Sequence, residues 1–257
     1  MGTVVVLGGT GEMGRRVVAG VTALGHDAVI AARSTGVDVV TGTGLDAAFS
    51  GADVVLDCLN HTTLSRRAAV DFFASSARRV VAAATGAGVG HLVCLSIVNV
   101  TDPAVRRATG YYAGKAAQED AYAAAPLPVS VVRTTAWFTL AETFLGQLRV
   151  GRFAVVPRMG LRPVHPDAAA DLLARTATGE PPAFPALEVG PTLHELAGPD
   201  RTDAAEMARA VAAAWHPQVR VVGVPAPGAG LRTGLLPRPD VPTDPRAFAD
   251  WVRSARR

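Results

Sequence analysis

A glycine-rich turn, GGTGEMG at residues 8–14, lies between an apolar β-branched run at 3–7 and an amphipathic stretch at 11–24. It constrains the chain more than any other feature. A continuous apolar run of this kind reads as a strand of a parallel sheet, covered on both faces. Gly8, Gly11 and Gly14 stand at GxxGxxG spacing. Glycine at such positions permits a tight turn, lets backbone approach a diphosphate, and lets the helix pack closely on the strand. The free N–H groups of the helix start then face the phosphates. Strand, glycine turn and helix in this order predict a dinucleotide-binding βαβ unit.

The pattern repeats downstream. Apolar runs at 27–32, 37–40, 52–58, 91–96 and 129–134 read as further strands. Helical stretches begin near Leu45 and cover 64–80 or somewhat more, and 111–124. Right-handed crossovers between parallel strands make this an α/β, Rossmann-type doubly wound sheet. After about Val150 the periodicity loosens, with short strands at 153–156, 186–189 and 219–224 and helices at 167–176 and 203–215. Proline and glycine crowd residues 225–245 before a last short helix ending near Arg253. One domain over 1–257 is expected, with a cofactor part at about 1–150 and a small substrate-covering part at about 151–257.

Composition excludes several classes. Apolar residues are 49% and charged residues 18% of the chain, the balance of a folded globular protein. No apolar run has the length of a membrane span and no signal-like leader precedes the first strand, so a cytoplasmic protein is expected. The net charge of +3 is scattered over arginines without a basic block, which argues against a nucleic-acid partner. Cys58 and Cys94 lie in apolar runs and read as buried thiols in a reducing compartment. His26, His91, His194 and His216 show no ligand spacing, and no metal is expected.

The tip of the second strand reads Ala31-Ala32-Arg33-Ser34, with no acid. A carboxylate there would suit a ribose 2′-hydroxyl, whereas Arg33 and Ser34 suit a 2′-phosphate, so NADP(H) is the expected cofactor. Of the basic residues only Lys115 is lysine, a compact and tunable ammonium where the chain otherwise uses arginine. Tyr111 stands four residues before it and shares its helical face. A cation lowers the pKa of a neighbouring phenol toward acid–base use, and lysine can also donate to the ribose of a nicotinamide nucleotide. Tyr112 competes with Tyr111 for the role of acid. Ser96 ends the fifth strand at the edge where open α/β sheets bind ligands, and its hydroxyl can orient a carbonyl. His165 and Asp167 stand at a strand-to-helix junction, where a catalytic or metal role competes with Asp167 as helix cap. His61 is a candidate for lining the pocket. Trp137, Phe138 and Phe144 recur at helical spacing as core or pocket wall, Trp137 and Phe138 being placed where substrate would pass.

Taken in order, GGTGEMG, AARSTG, LSIVNV, YYAGKAAQE and VVRTTAWF resemble the atypical short-chain dehydrogenase/reductases, in particular the NmrA-like NAD(P)H-binding group. The resemblance covers residues 2–166 well and the AGPDR to EMARAV stretch more loosely. It implies strand order 3-2-1-4-5-6-7, with cofactor across the carboxyl edge and substrate held by the C-terminal segments. Carried over by position, it places Gly8, Thr10, Gly11, Met13, Gly14, Arg33, Ser34, Asn60 and Lys115 on the cofactor, and residues 134–138, Thr134 first, near the nicotinamide. In this group some members sense redox state without catalysis.

Three functions follow as expectations. The first is an NADPH-dependent reductase of a small carbonyl or conjugated substrate, with Tyr111 as proton donor, as in a tailoring step of specialised metabolism. The second is redox-neutral chemistry on the same fold, such as epimerisation, cyclisation or dehydration. The third is a sensor of NADP(H). The expected partner is a small molecule, and the chain a monomer or homodimer.

Overall fold

In the computed structural model, which describes residues 2–180, 187–188 and 193–254, the chain opens with β1 (Thr3–Leu7), α1 (Glu12–Ala23), β2 (Asp27–Ala31), α2 (Leu45–Phe49) and β3 (Val54–Asp57). It continues through α3 (Arg66–Ala87), β4 (His91–Ile97), α4 (Pro103–Ala108), α5 (Gly110–Ala123), β5 (Val129–Thr134) and α6 (Leu140–Gln147). Then follow β6 (Arg149–Val150), β7 (Phe153–Arg158), β8 (Gly160–Leu161), α7 (Pro166–Thr178), β9 (Leu187–Glu188), β10 (Leu193–Leu196) and β11 (Thr202–Asp203). The last elements are α8 (Ala204–Trp215), β12 (Arg220–Pro225), α9 (Ala229–Arg232) and α10 (Phe248–Ser254).

The main sheet has the order β2-β1-β3-β4-β5-β10-β9, parallel throughout except for β9 at its edge. Strand alternation sends its side chains into two cores. Val4, Val6, Leu56, Val93 and Leu95 meet α1 and α7 on one face. Val5, Leu7, Val55, Leu92 and Cys94 meet α2, α3 and α5 on the other. This two-sided burial is why β1 is apolar without interruption, each such side chain contributing about 1.5–3 kcal/mol. Close helix packing has its own sequence cause: a Cβ on Gly114 of α5 would come within 2.9 Å of the Ala69 carbonyl on α3.

Beyond β5 a third core forms, with Ala204, Ala205, Met207, Ala208 and Val211 of α8 lying against Ala154 and Val156 of β7. The small sheet β12-β7-β6 supports it. A reciprocal cap starts α8: the Asp203 carboxylate accepts from Glu206 N at 2.9 Å, and Glu206 accepts from Asp203 N at 3.2 Å.

Two details differ from expectation: one strand is absent, and three elements lack a clear sequence signal. Residues 37–40 are not a strand, so the implied order loses its edge member. Asp38 accepts from Val40 N at 2.8 Å in a side-chain turn, and its backbone closes on Thr43 and Gly42. Those groups are thereby withdrawn from any ladder, while Val37 and Val39 fill the core beside Leu45 and Phe49. The expected strand at 186–189 is described only at Leu187–Glu188, its other residues lying outside the described ones. Helix α3 runs on to Ala87 before Gly88 ends it in the left-handed conformation. α4, α6 and β10 had no clear sequence signal.

Candidate functional site

Because β1 to β5 run parallel, the residues after each strand gather at one edge of the sheet. Gly8, Arg33, Asn60, Ser96 and Thr134 all end or follow these strands. Gly8 takes φ +69°, and its N–H donates to the Ala31 carbonyl at 2.9 Å while Gly11 N donates to the Gly8 carbonyl at 2.8 Å. A Cβ on Gly14 would lie 2.2 Å from Gly8 O and 2.6 Å from Gly9 Cα. The turn therefore closes only with glycine there. No side chain caps α1, so its first-turn N–H groups face outward, as a diphosphate requires. The residues present fit a dinucleotide. Thr10 is exposed at the rim. The Met13 side chain is buried in the core between α1 and α7, which leaves its backbone to face the turn. Arg33 and Ser34 lie exposed in a short 3-10 turn after β2. The turn is pinned by Thr35 Oγ1, which accepts from Ala32 N at 2.9 Å.

Lys115 is enclosed, with 2% of its surface exposed. Its ammonium donates to the Leu95 carbonyl at 2.7 Å and to Gln118 Oε1 at 2.6 Å. Gln118 Nε2 then donates to Asp57 Oδ2 at 2.7 Å, and the Tyr122 hydroxyl donates to the same oxygen at 2.7 Å. Leu59 N donates to the other carboxylate oxygen at 2.7 Å. A buried cation thus reaches a buried anion through one amide, every group paired as a low-dielectric interior demands. Burial, and then the Asp57 carboxylate, pushes the Tyr122 phenol well up and keeps it a donor. Sequence reasoning missed Asp57, Gln118 and Tyr122. Their signal was an acid closing an apolar strand and polar groups three and seven residues beyond Lys115 on one helical face.

Tyr111 and Lys115 do share a face, but they meet on a third residue. The Phe73 ring lies 5.0 Å from Lys115 Nζ and edge-on to Tyr111 at 5.8 Å. Neither of the two ammonium hydrogen bonds goes to Tyr111. Tyr112 turns to the C-terminal core, where burial and then Tyr111 push its phenol up, away from neutral acid–base use. Ser96 is fully buried, and among the described residues its hydroxyl has no hydrogen-bond partner. The Thr135 hydroxyl, just past β5, is likewise buried and without a partner. Two orphaned hydroxyls at the carboxyl edge are a cost that a bound polar ligand would remove.

Thr134 Oγ1 accepts from the Trp137 indole at 3.0 Å. Trp137 is half-buried, whereas Phe138 is fully buried among Phe248, Trp251 and His165. Phe138 therefore lies in the C-terminal core. Asn60 is exposed, and His61 stacks on Phe72 of α3 at 4.6 Å. The helix after residue 165 is capped by His165, whose Nδ1 accepts from Asp167 N at 3.1 Å. Asp167 itself pairs with Arg16 of α1. Both residues have structural employment, and Asp167 is not the cap. Burial, with Asp57 adding for Cys58, pushes both thiols up and leaves them unreactive.

Comparison with known proteins places this arrangement. The sequence matches no family model and no curated protein. Among solved structures it is similar to dTDP-4-dehydrorhamnose reductase from Bacillus anthracis in complex with NADP, at 15% identity and TM-score 0.68, covering 92% of this chain and 89% of that one. UDP-glucose-4-epimerase from Stenotrophomonas maltophila, with bound NAD, gives 16% identity and TM-score 0.71 over 98% and 96%. NADPH-dependent quinone oxidoreductase from Escherichia coli gives 16% and 0.60 over 86% and 78%. The fold is theirs. These neighbours are nicotinamide-nucleotide enzymes of both redox and epimerising kinds. Among the described residues no helix is long and apolar enough to cross a membrane.

Proposed function

We propose that this chain is an NADPH-dependent reductase of a small carbonyl or conjugated substrate. The observation that carries the reading is convergence at one sheet edge. The uncapped glycine turn, the exposed Arg33 and the orphaned Ser96 hydroxyl all lie where β1, β2 and β4 end. Arg33 has no carboxylate partner among the described residues, and no acid stands at the tip of β2, which favours the 2′-phosphate of NADP(H). Bound there, the nicotinamide nucleotide supplies hydride. Ser96 would donate its hydroxyl to the substrate oxygen, and Tyr111 would hold the proton that oxygen receives. Lys115 ties α5 to β4 through Leu95 and places positive charge over Phe73, whose ring packs edge-on to Tyr111.

A second reading is a non-catalytic NADP(H) sensor. It is favoured by the commitment of the Lys115 ammonium to Leu95 and Gln118 rather than to Tyr111. One experiment separates the two: NADPH consumption followed at the nicotinamide band against a panel of aldehydes, ketones and quinones. The reductase consumes NADPH with at least one of them. Saturable NADPH binding without consumption on any of them selects the sensor.

A further inference from the structure

The C-terminal part carries a second concentration of cationic groups, away from the glycine turn. A cavity of about 440 Å³ is walled by Arg158 at the end of β7, Arg201 just before β11 and Arg232 at the end of α9. Arg209 of α8 approaches Arg158 on the side of Gly223. A Cβ built on Gly223 of β12 would lie 2.7 Å from Arg209 Nη2 and 3.0 Å from Arg158 Nε, so two guanidiniums converge over one backbone point. Glycine inside a strand commonly marks such a close approach.

Several arginines elsewhere in this chain are matched to acids. Arg16, Arg67, Arg106, Arg133, Arg175, Arg238, Arg246 and Arg253 each pair with a carboxylate. Among the described residues neither the three that line the cavity nor the neighbouring Arg209 does. Two acids, Asp203 and Glu206, line the same cavity, but both are committed to the start of α8. Asp203 accepts from Glu206 N at 2.9 Å, and Glu206 Oε2 accepts from Asp203 N at 3.2 Å and from Thr202 Oγ1 at 3.1 Å. Arg232 is anchored through Nε to the Ala226 carbonyl at 3.0 Å, which leaves its terminal nitrogens for the cavity. The guanidiniums outnumber the two carboxylates at this cavity, and their planar donors match the tetrahedral oxygens of a phosphoryl group. A phosphate monoester carries close to two negative charges at neutral pH, which answers the surplus of guanidiniums over carboxylates.

We infer that this cavity binds the phosphoryl group of a small molecule, at a site separate from the dinucleotide turn. The inference goes beyond the reductase reading and stands without it. The test is calorimetric titration of sodium pyrophosphate into the protein at constant ionic strength, with and without saturating NADPH. Saturable binding is expected in both conditions. It should weaken about tenfold or more in Arg158→Gln/Arg209→Gln, through the loss of charge-assisted hydrogen bonds, and should persist in Arg33→Gln. Arg201→Gln/Arg232→Gln, altering the opposite wall, should weaken it as well. All four side chains are exposed, so circular dichroism melts of the variants should match the parent. No saturable heat, binding that survives both double substitutions, or binding abolished by NADPH or by Arg33→Gln would overturn the inference, the last two by assigning pyrophosphate to the cofactor turn. If NADPH itself fails to bind, the reductase reading falls and the titration without it still decides this one.

Discussion

Replacing Asp57 by alanine should be among the most damaging single changes in the chain. The carboxylate is 1% exposed and accepts three hydrogen bonds, from Leu59 N, Gln118 Nε2 and Tyr122 OH, each at 2.7 Å. A hydrogen bond to a charged group contributes about 1.5–3 kcal/mol, and a buried donor left unpaired costs about 1–3 kcal/mol. The three are coupled, because Gln118 also accepts from Lys115 at 2.6 Å, so their values do not add. The comparable measured case is removal of one partner from a buried charge pair, at about 3–5 kcal/mol, and that is the loss expected for Asp57→Ala. With a urea slope of about 1–3 kcal/mol per molar, the unfolding midpoint should fall by about 1–2 M or more. Asp57→Asn, which keeps an acceptor oxygen, should lose roughly half as much. The assay is equilibrium urea unfolding followed by tryptophan fluorescence and far-ultraviolet circular dichroism together. A midpoint for Asp57→Ala within about 0.3 M of the parent, a loss of less than about 1 kcal/mol, would refute the view that this carboxylate compensates the buried ammonium.

Three further outcomes are expected. Arg33→Ala should weaken NADPH about tenfold and leave NADH unchanged, since it removes a contact to the 2′-phosphate alone; fluorescence titration with both nucleotides checks it. Tyr111→Phe should lower kcat by about a hundredfold or more while the NADPH dissociation constant stays within about twofold, as expected for loss of a proton donor. His91 is held below the ordinary histidine value of 6.5, by burial first and then by His194. Its folded form thus binds fewer protons than the unfolded chain, so this contribution to stability is complete above pH 6.5 and is lost as the pH falls below it. The melting temperature should decline from pH 7 to pH 5, less steeply in His91→Asn.

The parallel sheet and its glycine turn were legible because their signals are local. A strand buried on both faces is apolar at every position, and the turn that follows tolerates only glycine where Gly14 meets Gly8. Residues 37–40 misled for the same reason. Val37 and Val39 are apolar because they are buried, and burial without a ladder looks the same in sequence. The single lysine stands out in the sequence, and it lies one turn from Tyr111 on α5. What spacing along one helix could not supply was the other side of the contact: Phe73 on α3, Leu95 on β4 and Asp57 on β3 are brought to it only by the fold. Phe138 shows the converse limit, an aromatic at a plausible pocket position that the C-terminal core swallows whole.

The central claim is that the turn from Gly8 to Gly14 receives the diphosphate of a nicotinamide nucleotide. Isothermal titration of NADPH into the purified protein, alongside Gly14→Val, tests it most directly. The account predicts one-site binding in the micromolar range for the parent and none for a Gly14→Val protein whose far-ultraviolet spectrum remains that of a folded chain. Folded parent protein that shows no saturable binding of NADPH or NADH up to millimolar concentration would contradict it.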